Sequence, residues 1–291
     1  MAKTVLGVIG GSGFYKMDAL EGAEQVELNT PFGPPSDVYY RGHIGEVEIV
    51  FLSRHGRGHR ISPSNVNSRA NVYGMKLLGV EHLISVSAAG SMKEHLAPGD
   101  LVVADQFIDR THRRPSTFFD SGIVVHVSLA DPVCADLSEL LGDGARAVGA
   151  RVHQGGTYLC VEGPQFSTRA ESALFRSWGV DVISMTAIQE ARLSREAEFC
   201  YGVLALVTDY DCWHQGQKDV DVVDILRVLQ QNVATAQKAI VNLAQQMAGR
   251  VRRCKCASAL KDAIVTDRSV VPQSVAHDLN PLIGKYLQSE S

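Results

Sequence analysis

Two carboxylates stand two residues apart in Thr208-Asp209-Tyr210-Asp211-Cys212-Trp213, at the exit of a strongly hydrophobic run. On an extended chain such residues share a face, and a turn can bring both into a cleft. Carboxylates there can accept from an exocyclic amine and, once protonated, donate to a ring nitrogen. The carboxyl end of a buried strand is also where open α/β sheets bind ligands. A surface turn capped by aspartate fits the same residues.

Anion chemistry is written elsewhere. Gly10-Gly11-Ser12-Gly13 follows a strand-like run, where bare backbone amides and the Ser12 hydroxyl can cradle phosphate, or simply form a tight turn. It is neither a P-loop nor a GxGxxG motif. Arg54-His55-Gly56-Arg57-Gly58-His59 sets protonatable side chains among glycines, with Arg54 able to fork onto phosphate oxygens. A solvated basic loop is the alternative, and no further His/Cys pair makes His55 and His59 a zinc site. In Ser87-Ala88-Ala89-Gly90-Ser91 small side chains leave room for a ligand against the backbone, as would any plain strand-to-loop turn. Phe166, within 162–171, can stack on a flat base, while Thr168 and Glu171 read as a capping box. Thr186, after Met185, can cap the next helix and aim its hydroxyl at phosphate; Met185 alone reads as core.

These residues need elements to hold them. Residues 5–9, 48–52, 83–87, 101–104 and 203–208 read as strands, and the continuously apolar ones suit a sheet covered on both faces. Between them 65–78, 170–178 and 188–197 read as helices, and 222–247 carries apolar residues at helical spacing. The alternation predicts a single α/β domain with a mixed or mostly parallel central sheet flanked by helices. The domain spans 1–249. Residues 250–291, with a helix expected over 281–287, form an extension packing on that domain or at a subunit contact.

Composition excludes several classes of function. The 291 residues are 45% hydrophobic with a net charge of -4 and no long like-charge run, which argues against nucleic acid and anionic membranes as partners. No apolar stretch approaches the ~18 residues of a membrane span, and the opening strand is too short for a secretion signal. A cytoplasmic protein is expected, with its six cysteines reduced and mostly buried.

Taken together and in order, these motifs give a resemblance that none gives alone. From Val5 to about Leu243 the chain resembles the trimeric purine nucleoside phosphorylase superfamily, most closely its methylthioadenosine phosphorylase branch. Thr30-Pro31-Phe32-Gly33, Arg54-His55-Gly56-Arg57, 105–110, 162–171 and 208–213 carry it. The resemblance implies a purine nucleoside phosphorylase-like fold and phosphorolysis of 5'-methylthioadenosine without metal or cofactor, inorganic phosphate being the co-substrate. Ser12, Arg54, His55, Ser87, Ala88 and Thr186 would hold phosphate. Ala89, Gly90, Phe166 and Ser167 would face the base, and Met185 the ribose. Asp209 and Asp211 would be catalytic and read the purine at N7 and its 6-amino group. Burial beside Asp211 is expected to raise the pKa of Asp209, as proton donation near neutral pH requires. Val222, Ile225 and Leu226 would wall the methylthio group. His126 would serve a neighbouring subunit, so a homotrimer or a dimer of trimers is implied.

Two positions depart from that pattern. Gln189 stands where most relatives carry proline, which predicts a less rigid loop. Cys254-Lys255-Cys256 matches a Cys-x-Cys that can form a disulfide in some thermophilic relatives; a reduced pair is expected here. The competing readings are a phosphorylase of 6-oxopurine nucleosides or methylthioinosine, a hydrolytic nucleosidase, and a non-catalytic nucleoside-binding protein. Product analysis separates the first, phosphate dependence the second, and turnover the third.

Overall fold

The computed structural model describes residues 4–214 and 222–287, and of 222–225 the backbone alone. Val5–Gly10 forms β1, buried at every position, as a continuous apolar run requires when both faces of a sheet are covered. Glu21–Val26 (β2), Tyr39–Ile44 (β3) and Val47–Ser53 (β4) follow, then helix α1 at Ser68–Leu77. Next come His82–Ser91 (β5), Leu101–Ala104 (β6), Gln106–Arg110 (β7) and helix α2 at Ala135–Ala147. Val152–Gln154 (β8) and Thr157–Val161 (β9) lead to α3 at Arg169–Ser177, Val182–Ser184 (β10) and α4 at Ile188–Glu196. Cys200–Asp209 (β11) precedes the long α5, Val222–Met247, and the short α6 and α7 at Gln273–Asp278 and Asn280–Leu287.

These strands make one mixed sheet among the described residues, in the order β2-β3-β4-β1-β5-β10-β9-β7. β11 branches from β5 and carries β6 and β8. β1, β4, β5 and β11 run parallel, so their carboxyl ends emerge on one side. At that side β5 also pairs antiparallel with β10 through Gly90 and Ser91, and a bulge between Val207 and Asp209 turns β11 outward. The sheet thus splays at one corner, and the split is where a cavity opens.

Two apolar clusters cover the sheet. The face of α5 carrying Leu229, Val233, Ala236, Ile240 and Leu243 packs with Leu6, Ile49 and Leu204. The apolar spacing predicted this face; Leu226, expected on it, is half exposed. Beyond α5, Leu260, Ala263, Leu282 and Ile283 join the other cluster, and Ile264 bridges to Val125. No helix among the described residues is long and apolar enough to cross a membrane.

Candidate active site

A cavity of about 750 Å³ lies at the carboxyl ends of β1, β4, β5 and β11. Its floor is a set of hydroxyls. Ser87 Oγ lies 3.0 Å from Thr186 Oγ1 and 3.2 Å from Ser184 Oγ, and accepts from the buried Tyr158 hydroxyl at 2.9 Å. Ser12, Ala88 and Arg54 join the same lining. Thr186 does not cap α4 as its position suggested. Ala187, at φ 79°, takes the N-cap position and offers no side-chain cap. The Thr186 hydroxyl is turned to Ser87 instead, because Ala187 reverses the backbone between them and the helix.

Arg54 is 1% exposed and already held. Its Nε donates to Glu190 Oε1 at 2.5 Å and Nη2 to Oε2 at 2.8 Å, while Nη1 donates to the Val86 carbonyl at 2.9 Å. The fork expected to grip phosphate is therefore closed on Glu190, a residue that sequence reading treats as one more position on α4. A longer 3.4 Å contact from Nη2 to the Ile9 carbonyl completes four of the five guanidinium donors, leaving one Nη1 hydrogen for the cavity. Burial opposes the charge of Arg54, but the Glu190 carboxylate outweighs it and holds the guanidinium above its ordinary value. Gly11 permits this arrangement, since a Cβ there would stand 2.7 Å from both Arg54 Nη1 and the Val86 carbonyl.

His55 lines the cavity with its ring stacked on His59, 4.3 Å between centroids. Its Nδ1 lies 2.8 Å from the Ile61 carbonyl, an acceptor only, so Nδ1 carries the hydrogen and Nε2 is the unprotonated nitrogen. Burial, with Arg54 adding to it, pushes the imidazole down to about 4 from an ordinary 6.5. Acid therefore protonates the unfolded chain before the folded one. The contribution to stability is complete above pH 6.5 and is lost as pH falls through about 4, amounting to about 3 kcal/mol. Denaturant unfolding at pH 7 and pH 4 measures it: wild type loses more than His55→Asn by roughly that amount. Equal losses contradict the assignment.

The carboxylate pair lines the opposite end. Asp209 Oδ1 accepts from the Asp211 backbone N–H at 2.8 Å and Oδ2 from the Thr208 hydroxyl at 2.7 Å. Asp211 Oδ2 accepts from Ser172 Oγ at 2.5 Å, tying the pair to α3. Burial, with the nearby Asp209 charge adding to it, pushes the Asp211 carboxyl above the usual range. Asp211, at φ 52°, is folded back so that its carboxylate meets Ser172 of α3.

Ala89, Gly90, Phe166 and Ser167 line the wall between the two ends, with Phe166 55% exposed at the mouth. Met185 lies beside them, its carbonyl accepting from Arg114 Nη1 at 2.5 Å. The predicted capping box is present at Thr168 and Glu171 and sets the start of α3 behind Phe166. Leu226 and Leu229 supply apolar surface. The side chains of Val222 and Ile225 fall outside the described residues. His126 is exposed and outside the lining, with its backbone N–H bonded to the Ala263 carbonyl at 2.8 Å.

Several supporting residues escaped sequence reading. Arg114 Nη2 and Nε reach the carbonyl (2.5 Å) and carboxylate (3.2 Å) of Glu162, whose other oxygen accepts from the His112 N–H at 2.6 Å. Burial opposes the charge of Glu162, but the hydrogen bonds from Ser64 and His112 and the Arg114 charge outweigh it and hold the carboxyl down at about 2. Gln189 is 3% exposed and donates to Thr111 Oγ1 at 2.9 Å. That bond ties the loop by side chain where relatives were expected to use proline.

The comparisons agree with this architecture. The family model described as "Phosphorylase superfamily" matches residues 5–245. The S-methyl-5'-thioadenosine phosphorylase of Geobacter sulfurreducens is 56% identical over 284 residues, covering 97% of this chain and 99% of that one. A crystal structure of a methylthioadenosine phosphorylase from an antarctic soil metagenomic library superposes with TM-score 0.91 at 42% identity, over 96% of this chain and 99% of its own. A Schistosoma mansoni adenosine/methylthioadenosine phosphorylase mutant, S12T, in complex with methylthioadenosine gives TM-score 0.82 at 35% identity, over 89% and 96%. With five-sixths of its length matched to the family and relatives similar end to end, the chain belongs to the phosphorylase superfamily.

Proposed function

We propose that the protein cleaves 5'-methylthioadenosine with inorganic phosphate, giving adenine and 5-methylthioribose 1-phosphate for purine and methionine salvage. One observation carries this reading: a single cavity joins a carboxylate pair at one end to a hydroxyl floor and buried arginine at the other. That polarity suits a reaction in which negative charge grows on a leaving purine while an anion approaches the sugar.

The glycosidic C1'–N9 bond breaks with its electron pair going to the purine. The Asp209–Asp211 pair, sharing one proton, delivers it at N7 and accepts from the 6-amino group. Phosphate, held by Ser12, Ser87, Thr186, the Ala88 backbone and the remaining Arg54 donor, stabilises the cationic sugar and forms the new C1'–O bond. His55, neutral and unprotonated at Nε2, accepts a hydrogen bond from monohydrogen phosphate, whose proton passes to water as the C1'–O bond forms. Over a turnover the proton lost by phosphate balances the one gained by adenine. The chemistry so written needs no cofactor. Phe166 and Ser167 take the base, Met185 the ribose, and the wall at Leu226 the methylthio group.

The working unit is proposed as a cytoplasmic homotrimer in which His126 reaches a neighbour's cavity; its exposure outside its own cavity supports this. Residues 1–249 are proposed as the catalytic domain, with the following segment packed on it. Initial rates across methylthioadenosine, adenosine, methylthioinosine and inosine, with and without phosphate, test the reading. Methylthioadenosine is expected fastest, ahead of adenosine by about 5–150-fold for the apolar pocket's 1–3 kcal/mol, and only with phosphate present. Prompt cleavage of methylthioinosine beside inert methylthioadenosine, or cleavage without phosphate, overturns it.

A further inference from the structure

Four of the six cysteines converge far from the cavity. Cys134 precedes α2, Cys200 opens β11, and Cys254 and Cys256 come from the segment beyond α5. Because Asp209 closes the same strand that Cys200 opens, the two centres stand about 30 Å apart. The four sulfurs form a cluster in which all lie within 4.8 Å of one another. Cys134, Cys200 and Cys256 are buried and Cys254 half-buried. Cys200 Sγ and Cys254 Sγ are 3.3 Å apart. A tetrahedral ion with metal–sulfur bonds of about 2.3 Å sets sulfur–sulfur edges of about 3.8 Å, within the span found here.

The surroundings suit anionic sulfur. Arg195 Nη1 lies 3.7 Å from Cys256 Sγ, and Arg252 lines the same small cleft as Cys134, Cys200 and Cys254. The Nε atoms of both arginines are buried with no hydrogen-bond partner, an unusual cost for guanidinium groups unless negative charge lies nearby. Disulfides would be neutral and would pair the sulfurs two by two. Four sulfurs around one centre beside two cations match a thiolate-bound dication instead, whose excess negative charge the arginines offset.

We propose that Cys134, Cys200, Cys254 and Cys256 form a tetrathiolate site for a zinc ion that staples the segment after α5 to the start of β11 and α2. Loading releases the protons of the thiols still protonated, and the ion's binding energy becomes folding energy. The stapled segment carries Ala263 and Ile264, which hold the backbone at 125–126, so the ion also steadies the loop bearing His126.

Elemental mass spectrometry on the whole protein, purified with a reductant and no chelator, tests this. About one zinc per chain is expected, with these four thiols resisting alkylation until a mercurial expels the metal. Replacing zinc by cobalt is expected to bring the visible and thiolate charge-transfer bands of tetrahedral cobalt. Cys254→Ser, the least buried ligand, is expected to weaken zinc binding by at least about tenfold and to lower the thermal midpoint. The Cys254→Ser/Cys256→Ser pair is expected to lose the metal. Metal-free protein whose non-reduced digest contains disulfides among these cysteines overturns the proposal. So does protein with four free thiols that takes up neither zinc nor cobalt on titration.

Discussion

Replacing Asp209 with asparagine is expected to lower kcat/KM for methylthioadenosine by about 10²–10⁴-fold, the range that positioned proton transfer contributes. The carboxamide can keep the hydrogen bond from the Asp211 N–H, and the Thr208 hydroxyl can turn to accept from the new amide. Folding should survive. What goes is the negative charge that lets the pair share a proton, together with an acceptor for the 6-amino group. A carboxamide N–H would instead suit a 6-oxo group, so the loss on methylthioinosine should be smaller and the ratio of the two substrates should fall. Steady-state kinetics on both substrates, with unfolding curves as a control, decide the matter. Unchanged kinetics on methylthioadenosine would remove the pair from the mechanism.

The second large effect concerns the ion pair beneath the hydroxyl floor. Glu190→Ala should cost about 3–5 kcal/mol of stability, because Arg54 is left charged and buried with both carboxylate oxygens gone. At about 2–4 °C per kcal/mol for a chain of this size or somewhat smaller, the thermal midpoint should fall by roughly 6–20 °C. Phosphate offers the stranded guanidinium a new partner, so added phosphate should raise the variant's midpoint more than the wild type's. Glu190→Gln, which keeps one acceptor, should fall between. An unchanged midpoint in Glu190→Ala would mean that Arg54 has found water or another partner and that the pair is not structural.

How much of this was legible in the chain depends on the kind of signal. The five predicted strands all appear, each within a few residues of the expected ends, because continuous apolar runs survive any tertiary context. Of the six other strands among the described residues, three offer no such signature. β8 and β10 are three residues long, and β2, Glu-Gly-Ala-Glu-Gln-Val at the sheet edge, is mostly exposed and shows no alternation. Helix α2 hid behind Gly142 and Gly144, which lower helix propensity. Gly144 is there for packing, since a Cβ would stand 2.9 Å from the Ala239 carbonyl of α5.

The site divides in the same way. Its lining was readable as motifs next to strand ends, where ligands gather in α/β sheets. Its support was not. Glu190 meets Arg54 across 136 positions and Arg114 meets Glu162 across 48, and nothing local to either residue announces its partner. The cysteine cluster is a stronger case. Only the fold brings Cys134 and Cys200 to the close pair at 254 and 256.

The hydrogen fixed on Nδ1 of His55 has a consequence for which oxyanions the cavity can admit. If His55 serves phosphate as proposed, the lone pair on Nε2 asks its ligand to bring a proton, and monohydrogen phosphate does. Arsenate, with the same proton at neutral pH, meets the same welcome. Sulfate is equal in charge and close in size but has no proton to give, so its oxygens would meet that lone pair head on. In the proposed reaction, a ring pointed at one backbone carbonyl would favour phosphate over the sulfate dissolved beside it, by counting hydrogens rather than charge or size.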